Sequence, residues 1–202
     1  MKIGVMGGTF DPLHIGHLIL AQEAGYQLKL DKILFIPAGD PPHKQNQPVT
    51  PAFHRLTMAQ LATAQNPLFE VSDVEIKRQG LSYTVNTLET LSQIYAETAT
   101  LYFIIGADAA AELPNWYQPR RVIELAILAV VGRPGYIFPL DKLQAALPGI
   151  EQRLVRVDTP MIEVAAQEIR QRVLEGAPIR YLVPPSVEEY IRREGLYLPP
   201  PR

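Results

Sequence analysis

Apolar and polar positions follow two rhythms along this chain. Short runs of consecutive apolar residues recur at 2–6 (KIGVM), 32–37 (KILFIP), 101–106 (LYFIIG) and 126–132 (AILAVVG). Their length and β-branched content suit strands buried on both faces. LVRVD at 154–158 is a fifth candidate, and FEVSDVEI at 69–76 is a weaker, edge-like one. Between these runs the pattern turns helical, which predicts helices over 17–30, 51–65, 84–95, 119–125, 165–174 and 186–193.

Strand–helix alternation predicts an α/β fold, with a parallel sheet and helices on both of its faces. In such sheets ligands sit beyond the carboxyl ends of the strands. Three polar segments fall there: GGTFDPLHIGH at 7–17, GADA at 106–109 and GRP at 132–134. Proline clusters at 38–51, 132–135 and 198–202 mark loops.

Composition narrows the function classes. With 47% hydrophobic and 20% charged residues, the 202-residue chain reads as an ordinary globular protein of one α/β domain. A net charge of −2 gives no general attraction to nucleic acid or to an anionic membrane, so any anion site must be local. The absence of cysteine excludes disulfides, thiolate catalysis and Cys-ligated zinc. No apolar run reaches the ~18 residues of a membrane span. The N-terminus lacks a signal-peptide pattern, because Gly4, Gly7, Gly8 and Asp11 interrupt its apolar start. A cytosolic location is expected.

The segment at 7–17 holds the densest chemistry. Gly7 and Gly8 let backbone approach a ligand closely. Asp11 followed by Pro12 suits a helix start, with an N-cap carboxylate and proline in the first turn, although the helix can begin a few residues later. Free N–H groups at a helix N-terminus bind anions, phosphate above all. His14 and His17 are spaced i, i+3 and can face one anion from one helical turn, and Gly16 between them leaves room for it. A plain tight turn, a pair of capping histidines or a metal pair would fit the same letters, but no third metal ligand follows by spacing. The dinucleotide fingerprint G-x-G-x-x-G is absent.

The whole string GGTFDPLHIGH, with His14-Ile15-Gly16-His17 as its H-x-G-H core, resembles the signature of the nucleotidyltransferase superfamily. Within it the chain resembles the bacterial nicotinate-nucleotide adenylyltransferases. PPHK at 41–44, SYTVNTLETL at 82–91, FIIGADAAAELPNWY at 103–117 and VPPSVEEYIRREGLY at 183–197 extend the likeness over nearly the whole chain. The resemblance implies a Rossmann-like, doubly wound domain spanning 1–202, with a small helical subregion from about residue 160. It implies transfer of the adenylyl group of ATP to nicotinate mononucleotide, giving deamido-NAD and pyrophosphate. Two departures stand out. The segment AAQEIR puts Ala165, Ala166 and Gln167 where the family has hydroxyl residues, and Asn86 replaces an expected Asp.

The resemblance also implies roles. His14 and His17 stabilise the reacting phosphates as the catalytic pair. Gly8, Thr9, Phe10, Lys44, Gly106, Asp108 and Arg170 hold ATP and its phosphates, with Asp108 meeting ribose hydroxyls or capping a helix. Trp116 stacks on the nicotinate ring, and the N–H groups of Thr84 and Tyr117 hold its carboxylate. Mg²⁺ arrives with ATP and no residue is assigned to a metal. A homo-oligomer is compatible with all of this. Nicotinamide-mononucleotide and pantetheine-phosphate adenylyltransferases are the neighbouring alternatives, and a non-catalytic nucleotide-binding regulator is the alternative of another class. A tRNA-synthetase fragment is disfavoured by the acidic balance and the lack of a KMSKS-like loop.

Overall fold

The computed structural model describes residues 1–45, 47–95, 98–132 and 139–199. Six strands form one sheet: β1 (Lys2–Gly8), β2 (Lys32–Pro37), β3 (Phe69–Val71), β4 (Thr100–Gly106), β5 (Ala126–Gly132) and β6 (Leu154–Asp158), in the order β3-β2-β1-β4-β5-β6. Every neighbouring pair is parallel. This is the doubly wound arrangement, in which the direction of winding reverses between β1 and β4.

Alternation along each strand builds a core on each face. Ile3 and Val5 of β1 join Leu34 and Ile36 of β2 on one side, under α4 (Thr84–Tyr95) and α6 (Pro119–Leu125). Met6, Ile33 and Phe35 face the other side, against α1 (Ile15–Leu28) and α2 (Ala52–Thr63). A third cluster joins Met58 of α2 to Ile169 of α8 (Ala166–Leu174) and to Val187, Tyr190 and Ile191 of α9 (Pro185–Arg193). Polar contacts pin that docking: His54 Nδ1 lies 2.8 Å from the Tyr190 hydroxyl, and Ser186 Oγ donates to the Leu61 carbonyl at 3.1 Å.

Three differences from the sequence pattern are instructive. The strand expected over 69–76 stops at Val71, and 74–77 forms a short helix, α3 (Val74–Lys77). Only 69–71 finds a partner, on β2 from Ile33 to Phe35, although β2 itself runs on to Pro37. The first helix begins at Ile15 and its N-cap is His14, not Asp11. Two short helices, α5 (Ala107–Ala111) and α7 (Leu140–Ala146), escaped the pattern because neither is long enough to repeat it.

The loop after β2 runs hard against α3. A Cβ added at Gly39 would sit 2.4 Å from the Glu75 carbonyl oxygen, a backbone atom that cannot swing away. Gly39→Ala is therefore expected to lower the unfolding free energy by about 2 kcal/mol, the scale of overpacking. Urea unfolding of the two proteins measures it, and an unchanged midpoint would show that α3 yields freely.

Candidate active site at the strand switch

β1 and β4 pair from Lys2–Thr100 to Val5–Phe103. Each then runs on three residues, to Gly8 and to Gly106, without pairing with the other. The crevice expected of this topology opens between those ends. The loop 9–14 crosses it and leads into α1.

That loop is set by buried groups. Phe10, at φ 49°, takes the left-handed conformation and is 3% exposed. Its ring closes over Gly8, where an added Cβ would come within 2.9 Å of it, and its edge meets the His17 ring at 5.1 Å. The His14 and His17 rings lie 3.8 Å apart between centroids. The His14 backbone N–H donates to His17 Nδ1 at 3.3 Å. His17 Nδ1 is thus an acceptor, and the neutral ring holds its proton on Nε2 as a donor. His14 Nδ1 is buried and has no hydrogen-bond partner. Burial lowers the His14 pKa to about 4. His17 is also held well below the ordinary imidazole value, first by burial and then by the charge of His14. Both rings are neutral near pH 7, so they can offer hydrogen bonds rather than full charges.

Lys44 closes a short turn at 42–44, in the segment between β2 and α2. Arg55, in the first turn of α2 and 1% exposed, reaches under that segment. Its Nε donates to Thr50 O at 2.8 Å, Nη1 to Thr9 O at 2.8 Å and Nη2 to Gly39 O at 3.2 Å. Lys44, Arg55 and Gly39 share the lining of one cavity of about 290 Å³.

The residues assigned to the pyridine end also converge. Thr84 opens α4, where its N–H has no intrahelical acceptor. The neighbouring Tyr83 ring lies 4.6 Å from the ring of Tyr117. Trp116 packs edge-on against Phe103 at 6.1 Å, and Phe103 in turn faces the backbone of Gly7. Gly106 and Asp108 line a second cavity of about 290 Å³ with Leu20, Gly132 and Thr159, between the ends of β4 and β5. Gly106, not Asp108, is the N-cap of α5, and Asp108 sits exposed in its first turn. Of the rim segment 132–134, Gly132 is among the described residues; Arg133 and Pro134 lie outside them.

Arg170 reaches this rim from α8. Its Nη1 donates to the Asp11 backbone oxygen at 2.7 Å, and it lines a cavity of about 410 Å³ with Thr50, Gln167 and Tyr197. Asp11 is a junction rather than a helix cap. Its carboxylate accepts the Thr50 N–H at 3.1 Å and the Tyr197 hydroxyl at 2.8 Å. The N-cap of α8 is Ala165, which offers no side-chain hydrogen bond, so the backbone amides of that turn are uncapped.

Sequence reasoning missed Arg55, Tyr197 and a buried polar cluster of Glu75, Ser82, Thr87 and Arg78. Thr87 Oγ1 donates to Glu75 at 2.6 Å, Arg78 Nη2 donates to Thr87 Oγ1 at 3.1 Å, and Ser82 Oγ accepts from the N–H groups of Gly39 and Asp40. Burial raises the Glu75 pKa, and the hydroxyls of Thr87 and Ser82 oppose it. One signal was available for Arg55. It falls three and four residues before Met58 and Ala59, on the buried stripe of α2, where a charge is out of place.

Residues 5–172 match the cytidylyltransferase-like family. A probable nicotinate-nucleotide adenylyltransferase of Thermomicrobium roseum is 48% identical over 97% of this chain and 91% of its own. One of Roseiflexus sp. is 47% identical over 96% and 97%. Among solved structures, the nicotinic acid mononucleotide adenylyltransferase of Plasmodium falciparum complexed with NaAD superposes with a TM-score of 0.78 over 97% of each chain at 16% identity, a likeness of fold. By sequence over nearly its full length, the chain belongs to the cytidylyltransferase-like family and, within it, to the nicotinate-nucleotide adenylyltransferases.

Proposed function

We propose that this enzyme transfers the adenylyl group of ATP to nicotinate mononucleotide, releasing pyrophosphate and forming deamido-NAD. The observation that supports it most is the pair of neutral, desolvated histidines at the switch between β1 and β4, in a chain whose full-length relatives are named for this reaction.

The reaction requires no protein nucleophile. A 5′-phosphate oxygen of the mononucleotide attacks the α-phosphorus of ATP in line, and the bond to the bridging oxygen of pyrophosphate breaks. The protein's part is positioning and stabilisation of charge. His17 offers its Nε2 proton to an oxygen of the α-phosphate, where negative charge grows in the transition state. His14, whose buried Nδ1 is without a partner, completes its hydrogen bonding on the same phosphates. Gly8, Thr9 and Phe10 present backbone to the nucleotide, and Lys44 supplies a positive charge from its loop. Arg170 and the uncapped amides of α8 stand in for the hydroxyls absent at Ala165 and Ala166. Gly106 and Asp108 bind ribose hydroxyls. A divalent cation, Mg²⁺ in this reading, would arrive with ATP, held by the nucleotide rather than by residues of the protein, and would supply neutralisation of phosphate charge. Among the described residues no group of three or more His, Cys, Asp or Glu gathers to hold a metal of the protein's own. We place the reaction in the cytosol; among the described residues no helix is long and apolar enough to cross a membrane.

Trp116 gives the pyridine a stacking face, which does not distinguish acid from amide. The choice falls to the N–H donors of Thr84 and Tyr117. A carboxylate satisfies both; an amide satisfies one and leaves the other facing its NH₂, at about 1–3 kcal/mol.

Three outcomes test this reading. His17→Ala is expected to fold normally and to lose turnover by roughly 10² or more, the scale of one transition-state donor. Near-normal kcat in the folded variant removes His17 from catalysis. In competition at equal concentrations, nicotinate mononucleotide is expected to exceed the amide form by at least about tenfold in kcat/KM. Equal yields of deamido-NAD and NAD would show that the pocket does not read the carboxylate. The third concerns acid stability. As pH falls below 6.5 the unfolded chain protonates His14, while the folded protein resists until about 4. Stability is therefore flat above that window and is lost within it, by about 3 kcal/mol at pH 4 from His14 alone. His17 adds a loss of the same sign. Urea unfolding from pH 7 to pH 4 should show a shallower decline for His14→Asn; superimposable curves would show that His14 is not desolvated.

A further inference from the structure

Arg55 spends its guanidinium in an unusual way. It is almost wholly buried and none of its three nitrogens donates within its own helix. They take the carbonyls of Thr9, Gly39 and Thr50, which belong to the glycine loop after β1 and to the two stems of the segment bearing Lys44. Burying the cation opposes its charge, and the nearby Asp11 carboxylate offsets that without contacting it as an ion pair. An apolar side chain would fill this place on α2 without that cost, and such replacements of buried charge are often neutral or stabilising. What an apolar side chain cannot do is fix three points on two separate loops against one planar group.

The surrounding bonds run the same way. Asp11 holds the other face of Thr50 through its N–H, and Ser82 Oγ holds the N–H of Gly39. Gly39 and Thr50 are thus gripped on both their N–H and C=O groups. Ala38 N–H also donates to Gly8 O at 2.9 Å, tying the same stem to the end of β1. Lys44, between these stems, has its backbone held by local bonds: its N–H donates to Pro41 O at 3.0 Å and its carbonyl accepts from the Gln47 N–H at 3.0 Å.

We propose that Arg55 is a positioning residue for adenylyl transfer: it holds the glycine loop and both stems of the 38–51 segment at one spacing, and so sets where Lys44 stands relative to Thr9 and the histidine pair. The inference rests on the reading of Lys44 as a phosphate contact. It predicts that the two residues act through one arrangement, so that damage to one makes damage to the other redundant.

A double-mutant cycle on the full chain tests it, with Arg55→Lys, Lys44→Gln and their combination, and with Arg55→Met as a variant lacking every donor. Melting followed by circular dichroism fixes a temperature at which each is folded, and steady-state kinetics are read there. Arg55→Lys keeps the charge but not the planar three-way fork. It is expected to lower kcat by roughly tenfold or more while KM for nicotinate mononucleotide stays within about twofold. Lys44→Gln is expected to cost much less in the Arg55→Lys background than in the wild type. Wild-type kcat in folded Arg55→Lys, or a full Lys44→Gln factor persisting beside it, overturns the proposal. A lowered melting temperature with wild-type turnover in Arg55→Met assigns Arg55 to stability alone and overturns it too. If Arg55→Met does not fold, Arg55→Lys and its cycle decide. If Lys44→Gln is silent in the wild type, the phosphate role of Lys44 fails by itself, and the kcat of Arg55→Lys then decides for or against Arg55.

Discussion

The parting of β1 and β4 beyond Val5 and Phe103 is the constraint on which the rest depends. Winding outward in both directions from this pair sends the helix after β1 to one face and the helices flanking β4 to the other. No crossover can then roof the gap between the two strand ends. The sheet has to leave a crevice there, and backbone groups at Gly8 and Gly106 border it without a strand partner across it. A polar ligand is the natural occupant of such a gap, since buried backbone groups require hydrogen bonds. At Gly8 the space beside the backbone is already taken by the Phe10 ring, so no side chain fits.

The histidine pair shows how the protein prepares that gap for an anion. Charged imidazoles would bind phosphate strongly in the ground state as well as in the transition state. Neutral rings in a dry setting bind less but donate in a fixed direction, and only interactions that strengthen as charge develops speed the chemical step. The geometry keeps them neutral by burial and by crowding two rings within 3.8 Å, where a proton on one opposes a proton on the other. The bond from the His14 N–H to His17 Nδ1 then selects the tautomer. In the proposed reading, lasting positive charge is left to Lys44 in the loop and to Arg170 on α8.

Much of this was legible in the sequence, for identifiable reasons. Four of the six strands were visible because buried parallel strands are apolar on both faces, as KILFIP and AILAVVG are, while LVRVD and FEV at the sheet's two edges read more weakly. The histidines, the glycines and the residues assigned to the pyridine stood in segments close to strand ends or helix starts, so topology placed them on one rim of the sheet. The failures have a common physical source. Asp11 was read as a cap from its neighbour Pro12, but its carboxylate is used by Thr50 and Tyr197, 39 and 186 residues away. Glu75 was placed in a strand, yet it lies in a short helix because its carboxylate pairs with Thr87 on α4. Long-range polar pairing leaves no period in the sequence. It shows only as a charge where an apolar residue belongs, as at Arg55.

The loops at the site's edge explain why polar pairing was needed there. Hydrophobic packing fixes the helices, because each has an apolar stripe to bury. The segment from Gly39 to Thr50 has almost none: it is rich in proline and polar residues, and it must leave Lys44 free to meet a ligand. Proline limits its conformations but not its place. Placement has to come from the backbone carbonyls and amides, and those are satisfied by groups rooted in rigid elements: Arg55 on α2, and Ser82 beside α4. Glu75 of α3, which pairs with Thr87 of α4, completes the polar layer beneath. These buried partners join the stems of the 38–51 segment to the start of α4. A loop gripped in this way has both stems fixed by groups rooted in rigid elements.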